Sequence, residues 1–244
     1  MKKLSLDETA QEETRCTQQI KLQARRETRY VKRVILIATE GKGTEPNYFK
    51  ALAKTLEKKR FVINATVEGK GKSTRNLVEK VHRQVVYNNQ CYDSVWVVFD
   101  KDSFDDFDAA IELAAKYGFK CAWSNESFEL WLLLHFKDVN EFTGRKDLSK
   151  LLENAIRGRM RENDPAARYS YVKGDGRIYK YVTDWGNEDE AIKRAMGRKK
   201  TFENSAILPS KQNPCTHVDE LVFELRHPER MEFASLDGAS VQQR

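Results

Sequence analysis

Val34-Ile35-Leu36-Ile37-Ala38-Thr39-Glu40-Gly41-Lys42-Gly43-Thr44 is the stretch that decides the fold. Its first five residues form an unbroken, mostly β-branched apolar run, the pattern of a strand covered on both faces. The run ends at Glu40-Gly41-Lys42-Gly43, and a helix is expected next, with Thr44 as its N-cap and Pro46 in its first turn. Phe49, Leu52, Ala53 and Leu56 then recur at i, i+3, i+4 and i+7, one buried helix face.

The unit repeats downstream. Phe61 to Val67 reads as a strand, and after a glycine-rich turn Val78, Val81 and Val85 mark the inner face of a helix. Ser94 to Phe99 is the clearest strand. The helix after it carries Phe107, Ala110, Ile111 and Ala114 on one stripe and stops at Gly118, a suitable C′ residue. Phe119 to Trp123 is a fourth strand, followed by Phe128 to Phe136, apolar nearly all round and so a buried helix. Four strands alternating with helices predict an α/β fold, a mostly parallel sheet flanked by helices through right-handed crossovers. Beyond residue 145 the apolar spacing predicts only helices. They begin at Leu148-Leu151-Leu152, at Ala191-Ile192 behind a capping box at Asn187 and Glu190, and at Val218-Leu221-Val222 capped by Thr216. The expected organisation is an N-terminal arm (1–30), a catalytic domain (31–144), a helical appendage packed on it (145–235) and a tail (236–244).

Each strand finishes in acids or amides: Glu40, Glu68, Asp100 with Asp102, and Asn125 with Glu126. In open parallel sheets the functional crevice lies beyond these strand ends. Asp100 and Asp102, two residues apart, can face one ion while Lys101 points away, and Glu40 can complete that pocket. Three such carboxylates repel each other unless a divalent cation joins them. Hard oxygen donors without nearby Cys or His select Mg²⁺ or Mn²⁺.

These residues also resemble a known family. Thr39 to Phe49, Val98-Phe99-Asp100-Lys101-Asp102, Ser124 to Phe136 and Asn213 to Val218 are similar, in this order, to motifs of the RloB-like family. Its catalytic domain is of the Toprim kind, shared with topoisomerases, primases and OLD-family nucleases. The resemblance implies Glu40 as general base or metal ligand, Asp100 and Asp102 as Mg²⁺ ligands, and Glu45 and Glu129 as further site acids. It implies a toxic nuclease of bacterial anti-phage abortive infection, working beside a partner ATPase, with RNA or tRNA favoured over DNA as substrate. A second possibility is a nucleic-acid-binding regulatory module active only in complex with that ATPase. Glu126-Ser127 departs from the family pattern, so Glu126 takes no role from it.

The net charge of +6 over 244 residues averages unlike regions. Residues 34–149 are neutral, whereas residues 21–33 and 150–200 each carry +5. Clustered cations mark a polyanion binder. Lys42, Lys72, Arg168, Lys173, Arg177 and Lys180 are the expected nucleic-acid contacts, the last four interleaved with tyrosines able to stack on unpaired bases. Gly71-Lys72-Ser73 has the end of a P-loop, but Thr66 stands where the first glycine belongs, which argues against ATP binding. The scattered cysteines, the absence of a long apolar run and the polar N-terminus predict a reduced, cytoplasmic protein with no membrane span. A homo-oligomer is a further expectation that no motif here decides.

Overall fold

The computed structural model describes residues 31–56, 61–63, 66–69, 74–88, 91–102 and 104–227. The expected arm, the tail and the glycine loop holding Lys72 lie outside these residues.

In chain order the elements are β1 (Val31–Arg33), β2 (Ile35–Thr39), α1 (Thr44–Leu56), β3 (Phe61–Ile63), β4 (Thr66–Gly69), α2 (Thr74–Asn88) and β5 (Ser94–Asp100). They continue with α3 (Phe107–Lys116), β6 (Lys120–Asn125), α4 (Glu129–Leu134), α5 (Arg145–Asn163), α6 (Ile178–Trp185) and α7 (Glu188–Lys200). A 3-10 turn at Pro209–Lys211, strand β7 (Cys215–Thr216) and α8 (Val218–Arg226) complete them. The main sheet has the order β4-β2-β5-β6-β7, parallel throughout except for the antiparallel pair β6–β7. β1 and β3 pair in parallel as a separate two-stranded ribbon.

The alternation along each strand divides the core in two. Ile35, Ile37, Trp96, Val98 and Ala122 face α1, α4 and the C-terminal helices, while Leu36, Ala38, Val95, Val97 and Phe99 face α2 and α3. All of β2 and β5 is buried, which explains their continuous apolar runs. This is the doubly flanked, mostly parallel α/β sheet of the Toprim-like kind, carrying a helical C-terminal part. That part shares the first core cluster through Leu148, Leu152, Ile178, Ala191 and Val222.

Three local expectations need correction or refinement. Thr44 is the first residue of α1, and its hydroxyl accepts from the amide of Gly174, 3.0 Å away, instead of capping its own helix. Cys215–Thr216 adds a fifth strand, too short to leave an alternation signal in the sequence. His217 occupies the N-cap position of α8, while the Thr216 hydroxyl, held by Ser124 at 2.8 Å, accepts from the Val218 amide. Gly118 does close α3, with φ +72°, and the Asn187 side chain accepts from the Glu190 amide at the start of α7.

Candidate active site

β4 lies on one side of β2 and β5 on the other, so the winding direction reverses between β2 and β5. The crevice beyond their carboxyl ends is therefore the topological switch point where α/β sheets bind ligands. Glu40 directly follows β2, its amide donating to the Val98 carbonyl at 2.9 Å, and Asp100 is the last residue of β5. The sheet's own hydrogen bonds thus set the two acids side by side. Asp102 follows after a tight turn in which its amide donates to the Asp100 carbonyl at 2.9 Å.

Glu45 and Glu129 enter from the first turns of α1 and α4. Both are almost sealed, at 5% and 2% exposure, and Asp100 is similar at 7%. The Glu45 carboxylate lies against Gly41, where a Cβ would stand 2.6 Å from its Oε2, so this position accepts only glycine unless Glu45 moves. Tyr171 donates its hydroxyl to Glu129 Oε1 at 2.7 Å. Gly174 packs on Gly43, and its carbonyl accepts from the Asn47 side chain at 2.8 Å. The loop 171–176 of the helical part therefore forms one wall of the crevice.

The five acids depend on each other electrostatically. Burial, then the charge of Asp102, raises the Glu40 carboxyl from 4.5 to about 7. Burial, then the charges of Glu45 and Glu129, holds Asp100 well above the ordinary carboxylate range, with Arg145 and Lys173 opposing. Glu45 is likewise raised by burial and by Glu129, against Lys173 and Arg145. Burial and the carboxylate of Glu129 raise Tyr171.

Arg145, at the start of α5, is a member of the site that the sequence did not single out. Its guanidinium stands 3.6 Å from Asp100 and 3.2 Å from Asp102, and it donates to the Glu126 carbonyl at 3.0 Å. Asp100 and Asp102 thus share the Arg145 guanidinium as an ion-pair partner. Lys101 does not turn away: its ammonium folds back onto the Asp102 carbonyl at 2.7 Å. Glu45 Oε2 and Glu129 Oε2 are buried without a hydrogen-bond partner. Acceptors left without donors, in an all-oxygen set, suit a hard divalent cation. Among the described residues, no three carboxylate, imidazole or thiol side chains close on one point in ligand geometry.

The expected nucleic-acid contacts separate by position. Lys173 is exposed and near enough to act on Glu45 and Asp100, and Lys42 is exposed on the loop after β2. Arg168 is exposed, while Arg177 pairs with Asp175 and Lys180 with Asp184 on the protein's own surface. Tyr169 and Tyr179 are buried in the core. The basic cluster on α7 is largely tied down, Arg194 on the Leu134 carbonyl, Arg198 on that of Pro214 and Lys199 on Asp219 and Glu220. His135 is structural in its contacts: it is buried against the Trp131 carbonyl, and burial lowers it to about 4. No helix among the described residues is long and apolar enough to cross a membrane.

Against models of known families, residues 35–225 match the RloB-like protein family. The chain belongs to the RloB-like family. No curated protein and no solved structure matches it. The match spans everything from β2 to α8, so in this RloB-like chain the crevice between β2 and β5 and the wall contributed by residues 171–176 both fall within the family's extent.

Proposed function

We propose that this RloB-like protein is a Toprim-type endonuclease that hydrolyses phosphodiester bonds in nucleic acid, RNA or tRNA ahead of DNA, with Mg²⁺ or Mn²⁺ as cofactor. The observation that carries this reading is that Glu40, Asp100 and Asp102 all stand at the strand ends of the switch point, with Glu45 and Glu129 close enough to Asp100 to raise its carboxyl. The toxic role in anti-phage defence and the partner ATPase extend the same proposal from the family resemblance, and the cytoplasmic setting extends it from the scattered cysteines.

Glu40, Asp100 and Asp102 are the residues that would hold the divalent ion. When bound, the ion supplies polarisation of a phosphoryl oxygen and stabilisation of the leaving oxygen. If Asp100 and Asp102 alone hold the ion, Glu40 beside them is the group that would take the proton of the attacking water. Asp100 and Asp102 fix the geometry, their negative charge balanced by Arg145 and Lys173. These two cations also offer donors to the phosphate of a substrate strand lying over the crevice. Tyr171 holds Glu129 in a single orientation through its hydrogen bond.

The test is incubation of the pure protein with tRNA, single-stranded RNA and duplex DNA in Mg²⁺, Mn²⁺ or EDTA. Cleavage that needs the metal and disappears in Glu40→Gln and Asp100→Asn is expected. Cleavage that persists in EDTA, or in both variants, refutes the assignment. The Arg145 contact with both aspartates favours one second reading, a regulatory module whose acids are released only within a partner complex. That reading predicts nucleic-acid binding without turnover by the isolated chain.

A further inference from the structure

A second cavity, of about 510 Å³, opens beside the acids, and Asp102 and Arg145 belong to its wall. Lys101, Asn125, Glu126, Phe142, Lys211 and Asn213 provide most of the remainder. The volume is within the ordinary range of small-molecule sites, ~300–1,000 Å³. Its wall is built from the two motif segments that the catalytic reading leaves unused, the stretch around Asn125 at the end of β6 and Asn213 ahead of β7.

These two amides act as pegs. Asn125, 2% exposed, donates to the carbonyl of Ser210 at 3.1 Å, and so fixes the short turn that carries Lys211. Asp108 fixes the same turn from α3 by accepting from the Ser210 amide at 2.8 Å. Asn213 donates to the Asn125 side-chain oxygen at 3.3 Å and accepts from the Thr143 amide at 3.3 Å, which secures the loop carrying Phe142. Two surface loops are thereby tied together by part-buried hydrogen bonds. Between them they present an aromatic ring, 74% exposed, and an exposed ammonium group, with the Arg145 guanidinium at the inner end. A single exposed aromatic needs no explanation. One on a loop anchored at Thr143, at the mouth of a cavity that carries Arg145, Lys101 and Lys211 beside Asp102 and Glu126, has the composition of a base-stacking platform.

We propose that this cavity holds one unpaired nucleotide flanking the scissile phosphate, its base stacked on Phe142 and its phosphate met by Lys211 and Arg145. The inference rests on the nuclease reading and narrows it to single-stranded or looped segments. A base inside a duplex keeps both faces stacked on its neighbours and has none to offer Phe142.

The test is fluorescence anisotropy of the full chain in EDTA with a labelled single-stranded oligonucleotide, and with a blunt duplex of the same length. Phe142→Ala should weaken single-strand binding roughly ten-fold and leave duplex binding unchanged, while Phe142→Trp keeps wild-type affinity. Lys211→Ala should reduce the salt dependence of single-strand binding by about one phosphate contact. Equal affinity of wild type and Phe142→Ala for the single strand, or equal loss for strand and duplex, overturns the subsite while the nuclease reading stands. Failure of the wild-type chain to bind any nucleic acid overturns both.

Discussion

Replacing Glu40 by glutamine should make the protein more stable and, on the proposed mechanism, inactive. The wild-type carboxyl is moved from 4.5 to about 7 by burial and by Asp102. In the folded state it keeps its proton up to about pH 7, whereas in the unfolded chain it loses it near 4.5. Between these values the folded state binds more protons, so stability falls as pH rises through the window and is level above it. At ~1.4 kcal/mol per pH unit the full effect would be about 3 kcal/mol. Glu40 is half-buried, and solvent screening reduces this to ~1–2 kcal/mol. Glutamine keeps the shape and has no charge to desolvate. Thermal melts in EDTA at pH 8 should place Glu40→Gln about 2–8 °C above wild type, given ~2–4 °C per kcal/mol for a chain of this size. At pH 5 the two should nearly coincide. A variant that melts at or below wild type at pH 8, or gains equally at both pH values, refutes the electrostatic account of the site.

Arg145→Ala should lower stability by about 2–4 kcal/mol at pH 8 by leaving Asp100 buried without its cation. In an Asp100→Asn background the same change should cost under half as much, a coupling that a double-mutant cycle by urea denaturation measures directly. Mg²⁺ or Mn²⁺ should raise the melting temperature of the wild type and leave Asp100→Asn nearly unmoved; an equal rise in both would place the ion elsewhere. Tyr171→Phe should cost ~1 kcal/mol by removing the donor to Glu129, and reduce any cleavage rate without changing metal-dependent stabilisation. Gly41→Ala should impair activity more than stability, because the new methyl displaces the Glu45 carboxylate instead of any backbone.

The sheet was legible because its strands are covered on both faces. Ile35 to Thr39 and Ser94 to Phe99 are unbroken apolar runs, and such runs between helical periodicities have few other solutions. Glu40, Asp100 and Asp102 were legible for a topological reason, since strand ends in a parallel sheet open into one crevice whatever the loops do. Arg145 was not legible. It lies 43 residues beyond Asp102 at the start of a helix whose sequence signal is an apolar stripe on another face. Nothing local distinguishes it from Lys146 or Lys150; only the packing of α5 against α4 brings it to the acids. The basic block at 150–200 was legible as charge but not as function. Whether a cation is available depends on acids three or four residues away, such as Asp184 beside Lys180, and on distant carbonyls such as those of Leu134 and Pro214. Phe142 and Lys211 escaped notice because their loops have no periodicity, and their positions are fixed by Asn125 and Asn213 from elsewhere in the chain.

The contact of Gly174 with Gly43, and of Tyr171 with Glu129, has a consequence for synthesis. A growing chain that has reached residue 135 already carries Glu40, Glu45, Asp100, Asp102 and Glu129, together with all four parallel strands. It lacks Arg145, Lys173 and the tyrosine that holds Glu129. Such an intermediate has every carboxylate of the site but none of the side chains that the helical part brings to it. On the proposed nuclease reading, the site is complete only when the helical part packs over the crevice, so a product truncated before residue 145 would lack Arg145, Tyr171 and Lys173.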